Sequence, residues 1–237
     1  MKDKTLGRKI TDTIRWVLTG IAPGSLQHDD LVKLLDKPNP IIFEIGCNDG
    51  TDTIEMLRRF PLAQIYCFEP DPRAIKRFKE KLGDNLNKIK LIEMAISDKN
   101  GSIEFHQSDG DLGDLEEGWD ASGSIRAPKN HLKLHPKVKF DQVIQVQTST
   151  LDDICENLGI SNIDFVWLDV QGAEGDVFRG ARHMLKHIKY IYTEYSNAEL
   201  YEGQLSLQGL KRLLSDFKVT RRYPADVLFE HHKVSKE

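Results

Sequence analysis

Short, nearly continuous apolar runs alternate with amphipathic stretches along most of the chain. Ile41-Ile42-Phe43-Glu44-Ile45 is followed by Gly46, Asn48 and Gly50 and then by helix-like sequence over 51–60. Residues 64–68 repeat the apolar run. Behind them Asp71 is a predicted N-cap with Pro72 at the first helical position, and the helix runs to about 82. A third strand is expected at 89–93. After a stretch without a clear element from about 100 to 147, Thr150-Leu-Asp-Asp153 reads as a capping box opening a helix to 158. A strand over 163–168, a helix over 174–185, a strand over 188–192, a helix over 206–215 and a hairpin-like pair at 218–222 and 227–229 complete the order. Apolar runs of this kind suit strands buried on both faces. Alternation of strand and helix predicts an α/β fold with a mostly parallel sheet and right-handed crossovers, which binds ligands outside the carboxyl ends of its strands.

Ahead of the first strand, Ile10, Ile14, Val17 and Leu18 stand at helical spacing over 6–19, and a second short helix is expected over 29–35. The first helix has a basic opposite face and is expected to pack on the domain or on a second copy of the chain. Residues 1–38 are therefore read as a helical extension, and 39–237 as one domain. The 237 residues, 39% of them hydrophobic, suffice for one sizeable core.

Net charge is −4, the wrong sign for a protein whose main work is coating nucleic acid, so no nucleic-acid partner is expected. The apolar stretch near Trp16 is too short for a signal-peptide core, and no run approaches the ~18 residues of a membrane span. A cytoplasmic protein is expected. Cys47, Cys67 and Cys155 form no CxxC pair and read as reduced thiols. No ligand set at metal spacing appears, His231-His232 included.

The turn after the first strand carries the chemistry. Its glycines are spaced G-x-x-x-G, with Asn48 where a dinucleotide fingerprint has the glycine that admits a pyrophosphate. That disfavours a nicotinamide-dependent oxidoreductase. A ligand with a carboxylate, an ammonium and a ribose suits the turn better: backbone amides take the carboxylate, Glu44 supplies negative charge, and Glu69 at the end of the second strand accepts from ribose hydroxyls. S-adenosylmethionine answers that description.

The segments EIGCNDGTDT (44–53), FEPDP (68–72), EMAISDKNG (93–101), STLDDI (149–154) and WLDVQGAEGDVFRGA (167–181) together resemble the FkbM-type methyltransferases, over roughly residues 40–196. The family usually carries Asp-Val-Gly-Ala-Asn where this chain has Glu44-Ile-Gly-Cys-Asn48, and Asp-Val-Glu-Gly where it has Asp169-Val-Gln171-Gly172. The resemblance implies a Rossmann-like class I methyltransferase with a seven-stranded sheet and an antiparallel C-terminal strand. It implies that Glu44, Gly46, Cys47, Asn48, Gly50 and Thr53 surround the methionine part of S-adenosylmethionine. Glu69 with Pro70 would hold the ribose, Ala95 and Ile96 would border the adenine, and Asp169 would face the ammonium or the reaction centre.

Methyl transfer is an in-line displacement, and an alcohol nucleophile benefits from a nearby base. Asp169, Glu174 and Glu194, all near strand ends, are the candidates; Glu174 reads equally as a helix residue complementing the dipole. Residues 107–140 turn from acidic to basic around Trp119, with Ser122-Gly123-Ser124 between. They are expected to form a substrate loop or lid in which Ser124, Arg126, His131 and His135, with His106 just ahead of it, meet the acceptor, the basic half facing an anionic group. A Mg²⁺ ion held by Asp169 and Glu194 is a minor alternative. The expected acceptor is a sugar hydroxyl in a glycan or glycolipid pathway. The alternatives are a polyketide-like or peptide acceptor at O or N and, in another class, an inactive cofactor-fold module serving a partner enzyme.

Overall fold

The computed structural model describes residues 20–110 and 120–233; the helix expected over 6–19 and the acidic block with Trp119 lie outside them. Helix α1 (His28–Leu35) leads into β1 (Ile41–Ile45), α2 (Thr51–Arg59), β2 (Gln64–Phe68), α3 (Pro72–Leu82) and β3 (Ile89–Ile92). Further along come β4 (Ala95–Ile96), β5 (Gly101–Gly110), α4 (His131–Leu134), β6 (Val138–Ser149), α5 (Leu151–Leu158) and β7 (Ile163–Leu168). The chain continues through α6 (Glu174–Arg179), β8 (Ile188–Glu194), α7 (Leu207–Leu213), β9 (Phe217–Arg222) and β10 (Asp226–His231).

Seven strands form one sheet in the order β3-β2-β1-β7-β8-β10-β9, with β10 antiparallel to both neighbours and β1, β2, β3, β7 and β8 parallel. Side-chain alternation along β1 divides the core. Phe43 and Ile45 join Val166, Leu168, Phe178 and Leu210 on one face, where α5 to α7 pack. Ile42 joins Met56, Phe60 and Phe78 on the other, beneath α1 to α3. The caps work as the side chains suggest: the Asp71 carboxylate accepts from Arg73 N–H at 2.9 Å, and the Thr150 hydroxyl accepts from Asp153 N–H at 3.1 Å.

Two regions differ from the sequence expectation. Much of 100–147 is not loop: β5 and β6 pair antiparallel, and β6 also carries β4, making a second, three-stranded sheet. Its apolar positions alternate with polar ones because one face is wet, so no continuous apolar run announces it. The helix opening at 174 ends at Arg179. Gly180 lies against the 97–98 backbone so closely that a Cβ would stand 2.0 Å from the Ser97 carbonyl oxygen, and a short 3₁₀ turn (Met184–His187) follows. Among the described residues no helix is long and apolar enough to cross a membrane.

Candidate active site

The carboxyl ends of β1, β2 and β7 converge on one cavity. Gly46 leaves β1 with φ +87°, and a Cβ there would sit 1.8 Å from the Asp169 carbonyl oxygen, so only glycine lets the two chain segments approach. Asn48, itself at φ +42°, donates its N–H to Glu69 Oε2 at 2.9 Å, and Asp71 N–H donates to Oε1 at 2.9 Å. The Glu69 carboxylate is thus braced on both oxygens at the end of β2, each with a lone pair to spare. Burial pushes it up to about 7 against those two bonds.

Gly46, Asn48, Glu69 and Pro70 line the polar side of the cavity; Met94, Ala95, Ile96, Phe105 and Ile125 form an apolar slot, and Asp169 and Gln171 close the far end. Four residues expected around the methionine are not on this wall. Glu44 points to the opposite face of the sheet from Ile45, where its carboxyl accepts the Thr53 hydroxyl and lies 3.7 Å from Cys67 Sγ. Burial pushes Glu44 up to about 8, so it does not supply a fixed negative charge to the cavity. Cys47 is packed into the core on the helix side, and Gly50 accommodates Phe78 and Leu82 rather than a ligand.

At the end of β7 the chain turns through two left-handed residues, Gln171 at φ +51° and Gly172 at φ +92°. Gln171 Nε2 donates to Asp169 Oδ1 at 2.7 Å and to Glu194 Oε2 at 3.1 Å. The Tyr201 hydroxyl lies 3.1 Å from Gln171 Oε1 and 2.8 Å from the Ser122 carbonyl. Burial raises the Asp169 carboxyl, opposed by the Gln171 bond; burial and the Asp169 charge together push Glu194 up to about 9. At neutral pH Glu194 therefore carries a proton. Glu174 is not beside this pair on the cavity wall: its carboxylate, pushed up to about 7 by burial, turns inward to accept Gly172 N–H at 3.0 Å and props the turn.

A larger groove of about 960 Å³ adjoins the cavity and shares Ala121 and Gln171 with it. Glu194, Tyr201, His131 and His135 line the groove. Burial and the neighbouring His135 push His131 down to about 4, so its imidazole is neutral. The other three residues expected at the acceptor are not there. His106 and Ser124 pair their backbones at 2.7 and 3.1 Å, and the Ser124 hydroxyl accepts Arg126 N–H. The Arg126 guanidinium is bidentate to Asp176 at 2.6 and 2.7 Å and reaches the Glu202 carbonyl, so its charge is spent inside the protein. Sequence reasoning missed Gln171, Tyr201 and Phe105. Gln171 was visible as a departure from the family pattern; Tyr201 and Phe105 stand in no motif.

A parallel sheet of this order, with a glycine turn after its first strand and a braced carboxylate after its second, defines a Rossmann-like class I methyltransferase. The profile described as Methyltransferase FkbM domain matches residues 44–231, and the chain belongs to the FkbM family of S-adenosylmethionine-dependent methyltransferases. It is 50% identical over 211 residues, 87% of this chain and 86% of the relative, to the 2-O-methyltransferase NoeI of Sinorhizobium fredii. Identity is 21% over 196 residues, 81% of this chain and 70% of the relative, to the hexuronic acid methyltransferase AglP of Haloferax volcanii. The crystal structure of the methyltransferase FkbM from Methylobacillus flagellatus KT superposes with a TM-score of 0.54 at 12% identity, covering 82% of this chain and 44% of that one.

Proposed function

We propose that this enzyme methylates a hydroxyl of a sugar in a glycan or glycolipid pathway, using one catalytic domain over 39–237 whose segment 121–138 borders the acceptor groove. The names of its relatives, a 2-O-methyltransferase and a hexuronic acid methyltransferase, support the acceptor class. The observation that carries the reading is the placement of Asp169 on the cavity and Glu194 on the groove, joined by the amide of Gln171 in the wall between them.

The cavity suits S-adenosylmethionine, which supplies the methyl group and leaves as the thioether S-adenosylhomocysteine. Glu69 would accept from the ribose hydroxyls, the Met94 to Ile96 segment with Phe105 and Ile125 would flank the adenine, and the glycine turn would admit the methionine part. Asp169 in its carboxylate form would accept the proton of the acceptor hydroxyl, while protonated Glu194 would donate a hydrogen bond and fix the other side of that oxygen. Alignment of this kind is worth about 7–11 kcal/mol in intramolecular reactions. An acidic reacting end, with Arg126 consumed by Asp176, favours an alcohol over a carboxylate acceptor. The amide donor between Asp169 and Glu194 occupies the place a divalent cation would need. Three buried free cysteines suit the reducing cytoplasm.

Calorimetric titration with S-adenosylmethionine and S-adenosylhomocysteine, followed by a mass-spectrometric search for a +CH₂ product on candidate sugars, tests the reading. Both ligands bind and a sugar gains a methyl group if it holds; Asp169→Asn then lowers kcat on the order of 10²-fold or more with Tm little changed. Binding without methylation of any sugar hydroxyl overturns it in favour of an inactive module or another acceptor.

A further inference from the structure

Gln171 stands at the wall shared by the two cavities and gives both of its amide protons there. One amide proton goes to Asp169 Oδ1 at 2.7 Å and the other to Glu194 Oε2 at 3.1 Å, while Oε1 lies 3.1 Å from the Tyr201 hydroxyl. Tyr201 is almost wholly buried, and its ring lies so close to Gly172 that a Cβ there would be 2.7 Å from Cδ2. The residue also holds a left-handed backbone conformation, which a side chain adopts at a cost of about 1 kcal/mol or more and keeps where surrounding contacts enforce it. The Glu that the family usually carries at this position would bring a third carboxylate to the same spot and no donor.

We propose that Gln171 is the positioning residue of methyl transfer: its amide, oriented by Tyr201, holds Asp169 and Glu194 at fixed spacing about a single acceptor hydroxyl. The inference rests on hydroxyl methylation by this site. In the step so arranged, the acceptor O–H proton passes to the Asp169 carboxylate, the new O–CH₃ bond forms, and the S–CH₃ bond breaks with its electron pair going to sulfur. The titratable groups facing the pair are Glu174 of α6, Asp52 of α2, Asp226 of β10 and Tyr201. Against burial and these acids, which raise the Asp169 carboxyl, the Gln171 amide is the largest opposing influence, followed by the Gln171 backbone and Glu194.

Gln171→Met, Gln171→Glu and Tyr201→Phe, made in the full chain, test this through carboxyl NMR titration of the resting protein and through kcat and KM against pH. Gln171→Met raises the pH at which Asp169 titrates by about one unit, Gln171→Glu by more and Tyr201→Phe by less. The acid limb of kcat moves with it, and kcat falls on the order of tenfold while KM for the acceptor changes less. Asp169 titrating at the wild-type pH in Gln171→Met and Tyr201→Phe overturns the proposal, as does activity lost only in proportion to Tm with the pH profile unmoved. The titration needs no acceptor. A protein that methylates no sugar therefore defeats the proposed function, whereas an unmoved Asp169 defeats the role of Gln171.

Discussion

Gly46 and Glu69 show how single positions make the cofactor cavity. Gly46 is required by approach as much as by φ, since both chain segments that would have to part are held in adjacent strands. Gly46→Ala should cost on the order of 4 kcal/mol in urea unfolding, and a loss below about 1 kcal/mol would show that the two strands yield easily. Glu69→Ala should weaken S-adenosylmethionine by about 1–3 kcal/mol in calorimetry through lost ribose hydrogen bonds; an unchanged Kd would remove Glu69 from the ribose site. Gly46, Asn48, Glu69, Pro70, Ala95, Ile96 and Asp169 lie on the cavity wall because each follows a strand's carboxyl end, and that position can be read from the sequence. Glu44 and Thr53 belong to the same motif yet face each other behind the sheet. The two-residue period of β1 already implied it, for Ile45 and Glu44 cannot point the same way.

At the scale of elements, the strands and helices of the main sheet were legible to within a few residues, since long apolar runs and caps mark them; the helix opening at 174 is the exception, ending at Arg179 instead of 185. The β5–β6 hairpin was not, because its alternating pattern resembles that of a polar loop when no tight turn joins the strands. The 120–130 segment is held to the body by Arg126 on Asp176, by Asp120 paired with Arg77 and by Ser122 on Tyr201. Arg179 also reaches Asp176, so loss of Arg126 leaves that acid partnered. Arg126→Ala should therefore cost only about 1–2 kcal/mol of global stability while hydrogen exchange in 120–130 accelerates and KM for the acceptor rises. Unchanged exchange in this segment would show that the remaining ties, the His106–Ser124 backbone pair among them, suffice.

Across the whole molecule, burial raises several carboxyls together: Glu69 and Glu174 to about 7, Glu44 to about 8 and Glu194 to about 9. Unfolded, each titrates near 4.3. Over the interval between, the folded chain holds more protons than the unfolded one, so stability falls as pH rises. His131, pushed down to about 4, has the opposite slope below about 6.5. From about pH 5 upward these four acids outweigh the single imidazole, so Tm of the ligand-free protein should be highest near pH 5 and decline toward about pH 9 in scanning calorimetry; a Tm that climbs over that range would contradict the burial of these acids. The order of elements, the glycine turn and the family are contained in the sequence, because apolar period and local backbone demands act within a few residues along the chain. Which carboxylates meet, which cations are already neutralised and which amide lies between them depend on side chains far apart in sequence, and only packing of β7, β8 and the segment around Tyr201 brings those together.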